Sequence, residues 1–177
     1  MLSNIEKLLN SGVAEVIEKV SLEKRLKSGK KLRVKLGIDP TKPDIHLGHT
    51  VPLRKLRQFQ EAGHKAVLII GDFTTRIGDP SGRSEERPML TQKEIKANMK
   101  NYLRQAGRVI DLKKTEIHYN SEWFEKDNSI FLKLASLATA QQILEREDFQ
   151  KRFREGSGPT VLEMTYPLLQ GYDSVMV

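Results

Sequence analysis

The chain contains no cysteine, which excludes disulfides and thiol chemistry and removes the ligands that most structural zinc sites use. It has no run of about 18 apolar residues, the length a membrane-spanning helix needs. Its N-terminal stretch also lacks the apolar segment of a secretory signal. These absences predict a soluble, cytoplasmic protein that does not engage a membrane. What is present suffices for one globular domain: 177 residues, 38% hydrophobic and 30% charged. The net charge of +7 permits a polyanionic partner, but such a balance is common on proteins that never touch nucleic acid.

The most informative stretch is Asp39-Pro-Thr-Lys-Pro-Asp-Ile-His-Leu-Gly-His49. Before it, Leu32, Val34, Leu36 and Ile38 alternate with Arg33, Lys35 and Gly37, the period-two pattern of a strand. After it, Leu53, Leu56 and Phe59 form the apolar side of a helix that ends at Gly63. His46-Leu-Gly-His49 therefore falls where a strand yields to a helix N-terminus, a place where backbone N–H groups favour an anion. The two imidazoles, three residues apart, point to nearly the same side, and Gly48 leaves backbone bare between them. That combination suits a nucleotide triphosphate. Two incidental surface histidines are the plain alternative. Zinc lacks partners, since there is no cysteine and His64 and His118 lie far off in sequence.

A continuous apolar run, Ala66–Ile70, predicts a second strand buried on both faces, hence a parallel βαβ unit. It leads into a loop carrying Gly71, Gly78, Asp79 and Gly82, at the strand end where open α/β sheets bind ligands. A plain β-turn at Asp79-Pro80 is equally compatible with that loop. Residues 1–31 read as a helical N-terminal segment, with Ser3 and Glu6 as a capping box and Val13, Val16, Ile17 and Val20 as an apolar stripe. Thr91 and Glu94 cap a helix that Gly107 stops, and Thr115–Tyr119 reads as a third strand delivering Asn120 to a new helix start. Residues 129–154 are helical, with more large apolar residues than a peripheral segment needs; core packing is the simpler account, a partner surface the alternative. Thr160–Asp173 reads as a last helix with Tyr166, Gln170 and Asp173 on one stripe; Pro167 sits uneasily within it, requiring a start near Thr165 or a kink. Those three polar groups call for water or a polar ligand.

Several of these motifs, in this order, resemble the N-terminal catalytic region of bacterial-type tyrosyl-tRNA synthetases, class I aminoacyl-tRNA synthetases. His46-Leu-Gly-His49 is similar to the class I HIGH signature with Leu for Ile. Gly37-Ile-Asp39-Pro-Thr41, Ile77-Gly-Asp79-Pro-Ser-Gly82 and Tyr166-Pro-Leu-Leu-Gln170-Gly-Tyr-Asp173 resemble the tyrosine-specific companions. The likeness runs from about residue 32 to the end.

The resemblance implies an α/β, Rossmann-like parallel sheet flanked by helices, incomplete at its C-terminus, with 32–177 as the first part of the catalytic domain. It implies ATP and tyrosine as substrates, Mg2+ accompanying ATP, no protein-bound metal, tRNA(Tyr) as partner, and a homodimer built on an insertion at 129–154. By the same likeness, Asp173 accepts the phenolic hydroxyl of tyrosine, and Tyr166, Gln170 and Asp79 hold its ammonium. Asp39 lies beside amino acid and nucleotide, and Asn120 supports the pocket. ATP falls to Gly37, Asp39, Pro40, Thr41, His46, Gly48 and His49: Thr41 and His46 at the outer phosphates, Gly48 under the adenine, His49 near the ribose. Arg83 and Arg87 clamp departing pyrophosphate. The catalytic set is thus Thr41, His46, His49, Arg83 and Arg87.

The sequence departs from the family in two ways. Lys35 stands where many members have a tyrosine; its strand parity aims it at the pocket, so it is expected to pair with Asp173 or the phenol. The chain also stops before any KMSKS-type lysine loop or anticodon-binding domain, so it reads as a fragment with doubtful turnover alone. The alternatives are a sister enzyme for tryptophan, a truncated tyrosine-binding or dimerisation module without chemistry, or a small HxGH nucleotidyltransferase. Tyrosine-dependent pyrophosphate exchange, tyrosine binding without exchange, and ATP use without tyrosine separate the main cases.

Overall fold

A computed structural model describes residues 4–80, 90–127 and 129–177. Three parallel strands, β1 (Arg33–Ile38), β2 (Lys65–Ile70) and β3 (Thr115–Tyr119), form one sheet in the order β1-β2-β3. β2 is central, and all five residues from Ala66 to Ile70 are wholly buried. Its continuous apolar run reflects this position, since neither of its faces meets water.

Two helices cover one face. α3 (Leu47–Glu61) crosses from β1 to β2, and α4 (Gln92–Ala106) lies between β2 and β3. Leu53 and Leu56 of α3, and Tyr102 and Ala106 of α4, pack with Ile38, Ala66, Leu68 and Ile70 in one cluster. α5 (Ser121–Phe124), α6 (Ser129–Ala135) and α9 (Val161–Met176) cover the other face, where Trp123, Phe124, Leu134 and Leu169 meet Val67 and Ile69. Strand parity assigns the faces: Val34, Leu36 and Ile38 join the first cluster, so Lys35 and Gly37 face the α9 side. The architecture is the expected α/β layer sandwich with a parallel sheet.

The N-terminal segment is helical at its two ends but not along most of the expected stripe from Val13 to Val20. It holds α1 (Asn4–Asn10) and α2 (Lys19–Lys27), and the residues between them form no helix. Gly12, at φ 66°, turns the chain there, and Ile17 and Val20 are over four-fifths exposed, so they make no buried stripe. Leu8, Leu9 and Leu26 instead pack on Phe59 of α3. Ser3 lies outside the described residues.

The segment 129–154 resolves into α6, α7 (Ala140–Leu144) and α8 (Glu147–Arg154). α9 begins before Thr165: the Thr160 hydroxyl accepts from Glu163 N–H and the Glu163 carboxylate accepts from Thr160 N–H, a complete capping box. Pro167 therefore lies inside the helix, where it removes the donor that would serve the Glu163 carbonyl. The Glu163 carboxylate also takes the buried Arg152 guanidinium at 2.7 Å, tying α8 to the start of α9.

Candidate active site

Each strand ends one residue before a group that builds the site. Asp39 follows β1, Gly71 follows β2 and Asn120 follows β3. Backbone bonds stitch these ends together, with Gly71 N–H donating to the Ile38 carbonyl at 2.9 Å and Asn120 N–H to the Ile70 carbonyl at 3.1 Å. The site thus occupies the carboxyl edge of the sheet, where an open α/β fold leaves its crevice.

On the α3 and α4 side, a cavity of about 260 Å³ is lined by Gly37, Asp39, Thr41, Lys42, His46, His49, Asp79 and Tyr102, among others. His46 is the N-cap of α3 and forms an unusual capping box with His49. The Nδ1 of His46 accepts Gly48 N–H, and the Nδ1 of His49 accepts His46 N–H, each at 3.2 Å. With both Nδ1 atoms accepting, each neutral ring carries its proton on Nε2, leaving an N–H donor for a ligand oxygen. The rings lie 4.1 Å apart, and burial with the neighbouring His46 pushes the His49 imidazole below its ordinary range. The edge of Tyr102 supports His49 at 5.9 Å.

The loop from Asp39 to His46 is anchored by α4. Asn98 donates to the Pro40 carbonyl at 2.9 Å, and the Gln105 amide accepts Ile45 N–H at 3.0 Å and donates to Asp44 at 2.6 Å. Pro40 is buried behind the loop, and Gly48 is exposed beside the cavity; neither lines it.

On the α9 side the polar groups form a buried chain. The Tyr166 hydroxyl donates to Asp39 Oδ2 at 3.0 Å, and the Thr74 hydroxyl to Asp39 Oδ1 at 2.8 Å. Asn120 Nδ2 donates to Thr74 Oγ1 at 2.9 Å and reaches Asp173 Oδ2 at 3.4 Å. Trp123 Nε1 donates to the other Asp173 oxygen at 3.0 Å. Gly71 makes the cluster possible, because a Cβ there would collide with Asp39 Oδ1 and Thr74 Oγ1. Gly78, at φ 84°, turns the chain immediately before Asp79.

Burial pushes the Asp39 carboxyl up to about 7; the donors Thr74 and Tyr166 oppose the rise, and the charges of Asp79 and Asp173 add to it. Burial raises Asp173 as well, against the pull of Trp123, Asn120 and Lys35. The Tyr166 phenol is held above its ordinary range by burial and by Asp39. A region this rich in carboxylates is poised for a cation.

Most of the residues expected from the sequence thus converge. Lys35 faces this region, but its ammonium donates to the backbone carbonyl of Gln170 at 3.3 Å, not to Asp173. Burial lowers its pKa, and the Asp173 charge works the other way. Gln170 meets Lys35 through its main chain and is itself exposed. Arg83 and Arg87 lie outside the described residues. Among the described residues, no group of three His, Asp or Glu side chains could hold a metal ion, and no helix is long and apolar enough to cross a membrane. Sequence reasoning missed Thr74, Asn98, Tyr102 and Trp123. Asn98 alone left a sign, as a polar residue on the apolar stripe of Ile95 and Tyr102.

Residues 27–177 match the family described as tRNA synthetases class I (W and Y). The chain belongs to this family. It is 52% identical to the tyrosine–tRNA ligase of Thermotoga maritima over 97% of its own length and 43% of that protein's. It is also 52% identical to the tyrosine–tRNA ligase of Dehalococcoides mccartyi, over 99% of this chain and 44% of that one. Among solved structures, a C-terminally truncated mitochondrial tyrosyl-tRNA synthetase of Aspergillus nidulans superposes with a TM-score of 0.84 at 26% identity. It is covered over 54% of its length by 99% of this chain. The chain therefore spans less than half the length of the curated relatives it matches.

Proposed function

We propose that this chain is the first part of the catalytic domain of a tyrosine–tRNA ligase, acting with ATP to form tyrosyl-adenylate before transfer to tRNA(Tyr). The carrying observation is that Asp39 lines the His46/His49 cavity and also accepts the Tyr166 hydroxyl from the α9 stripe. One carboxylate borders both the nucleotide side and the amino-acid side, as joining two substrates requires. The relatives named tyrosine–tRNA ligase favour tyrosine over tryptophan.

In this reading the phenol of tyrosine donates to Asp173, whose oxygens are already oriented by Trp123 and Asn120. Lys35, held by the Gln170 carbonyl, brings a cation to that end. The substrate ammonium lies against Asp39, Asp79 and Tyr166. An unpaired buried carboxylate at Asp173 would make phenylalanine costly to bind. The tyrosine carboxylate attacks the α-phosphorus of ATP, a new C–O–P linkage forms, and pyrophosphate leaves with the electron pair. No side chain acts as nucleophile. The Nε2–H groups of His46 and His49 hydrogen-bond phosphate and ribose oxygens, so catalysis is positioning and charge stabilisation. Mg2+ enters with the ATP phosphates as part of the substrate, and Arg83 and Arg87 neutralise the departing pyrophosphate.

The exposed apolar residues Leu132 and Leu137, with Phe131 and Phe153, support a homodimer surface on α6 to α8. The test is pyrophosphate exchange by the native protein carrying this sequence. Exchange that requires tyrosine is the expected result. Tyrosine binding without exchange would favour a binding module, and ATP use without tyrosine a different nucleotidyltransferase.

A further inference from the structure

We propose that Thr74 is a positioning residue for amino-acid activation, using its single hydroxyl to hold Asp39 at the seam of the two pockets and to tie it through Asn120 to Asp173. The inference rests on the tyrosine-activation reading above and assigns a task to a residue that touches neither substrate in it. Thr74 is buried, 2% exposed, in a short 3-10 turn after β2 (Thr74–Arg76).

A hydroxyl has one hydrogen, and here its orientation is determined from both sides. Asn120 aims an N–H at Thr74 Oγ1 from 2.9 Å, so the hydroxyl proton must point elsewhere, and Asp39 Oδ1 receives it at 2.8 Å. Asn120 cannot flip to release the constraint. Its Oδ1 accepts Phe73 N–H at 2.9 Å, which places Nδ2 toward Thr74 and Asp173. Asn120 has no exposed surface, so water does not offer its amide a substitute partner. The missing Cβ at Gly71 leaves the space that the Asp39 carboxylate and the Thr74 hydroxyl occupy. The result is a directional path from the phenol reader, Asp173, to the carboxylate that lines the nucleotide cavity.

The groups that face Asp39 set the consequence of breaking the path. Tyr166 and Asp173 approach from α9, Asp79 from the loop after β2, and Thr74 from the 3-10 turn. Lys42, His46 and His49 line the same cavity. Thr74 and Tyr166 are the two donors that favour the ionised carboxylate, while Asp79 and Asp173 disfavour it. Removing the Thr74 donor makes Asp39 harder to ionise and leaves one of its oxygens free to rotate away.

The experiment uses the native protein carrying this sequence, with Thr74→Val, Thr74→Ser and Thr75→Val. Thr75 is the control: it is buried next door, and its hydroxyl donates to the Gly71 carbonyl at 2.6 Å without touching a carboxylate. Tyrosine-dependent pyrophosphate exchange is followed from about pH 6 to about pH 9, with kcat and KM resolved and thermal midpoints recorded. For Thr74→Val we expect kcat/KM to fall about tenfold or more near neutral pH, the scale of losing a hydrogen bond to a charged group. The loss should lie more in kcat than in KM for tyrosine, because Trp123 and Asn120 still orient Asp173, and the acid limb should move to higher pH. Thr74→Ser should restore both, while Thr75→Val should lower the midpoint and leave the pH profile in place. Should Thr74→Val not fold, Thr74→Cys, whose thiol is a weaker donor, carries the same test with a smaller displacement. A Thr74→Val variant whose profile and kcat match the wild type, or merely copy Thr75→Val, overturns the proposal alone. Wild-type protein without tyrosine-dependent exchange overturns the reading of the whole site, and the proposal with it.

Discussion

Asp39 receives hydrogen bonds from Thr74 and Tyr166, yet it remains harder to ionise than an ordinary aspartate. Desolvation and the nearby Asp79 and Asp173 charges together outweigh the two donors. Its carboxyl titrates near 7 in the folded protein, against an ordinary value of 3.8. Between these values the folded state holds a proton that the unfolded chain has released. Stability contributed by this group is therefore complete below 3.8 and is lost as pH rises to about 7. Denaturant unfolding across that window should give a falling stability, and Asp39→Asn should make the fall shallower. An unchanged slope in the variant would mean that Asp39 does not titrate there. The same balance makes the site favourable for a cationic group, and the proposed reading fills that place with the ammonium of tyrosine.

At the N-terminus of α3, one pair of residues serves both the helix and the site. His46 caps α3 with its Nδ1, and that same bond leaves Nε2–H for a ligand. The two duties can be separated by substitution. Asparagine is a good N-cap but places no donor where Nε2 lies, whereas alanine loses both. His46→Asn should keep the thermal midpoint close to that of wild type, while His46→Ala should cost about 1 kcal/mol of stability. Exchange activity should fall in both. Equal activity in His46→Asn and wild type would remove the imidazole from the chemistry. The capping boxes at Thr91 and Thr160 follow the ordinary Thr-x-x-Glu pattern and were open to sequence reasoning at the first of these. At the second, the helix read from Thr160 left two options open for Pro167, a start near Thr165 or a proline inside the helix, and the Thr160–Glu163 box decides for the earlier start.

On the scale of the whole molecule, a small parallel sheet is covered by helices on both faces, and the helices of 129–154 leave apolar side chains in water. If these form the proposed homodimer surface, the native mass in sedimentation should be twice that of one chain, and Leu132→Asp with Leu137→Asp should halve it. A native monomer would end that proposal and leave the activity reading intact. The strands, the order of βαβ units and the place of His46 and His49 at a helix N-terminus were legible in the chain itself, while the convergence of Asp39 and Asp79 with them was implied by the family likeness. Periodicity and local motifs depend on neighbours within a few residues, so β2 declared itself by five consecutive apolar residues and α3 by Leu53, Leu56 and Phe59. The family likeness added the tyrosine side. Only the tertiary structure decided which polar groups touch. Thr74, Asn120 and Trp123 are separated from Asp39 or Asp173 by tens of residues, and no local pattern distinguishes a buried threonine in a hydrogen-bond chain from one in a loop. The partner of Lys35 was of the same kind: strand parity aimed the side chain correctly, but whether its ammonium met the Asp173 carboxylate or the Gln170 carbonyl depended on where α9 docks against β1.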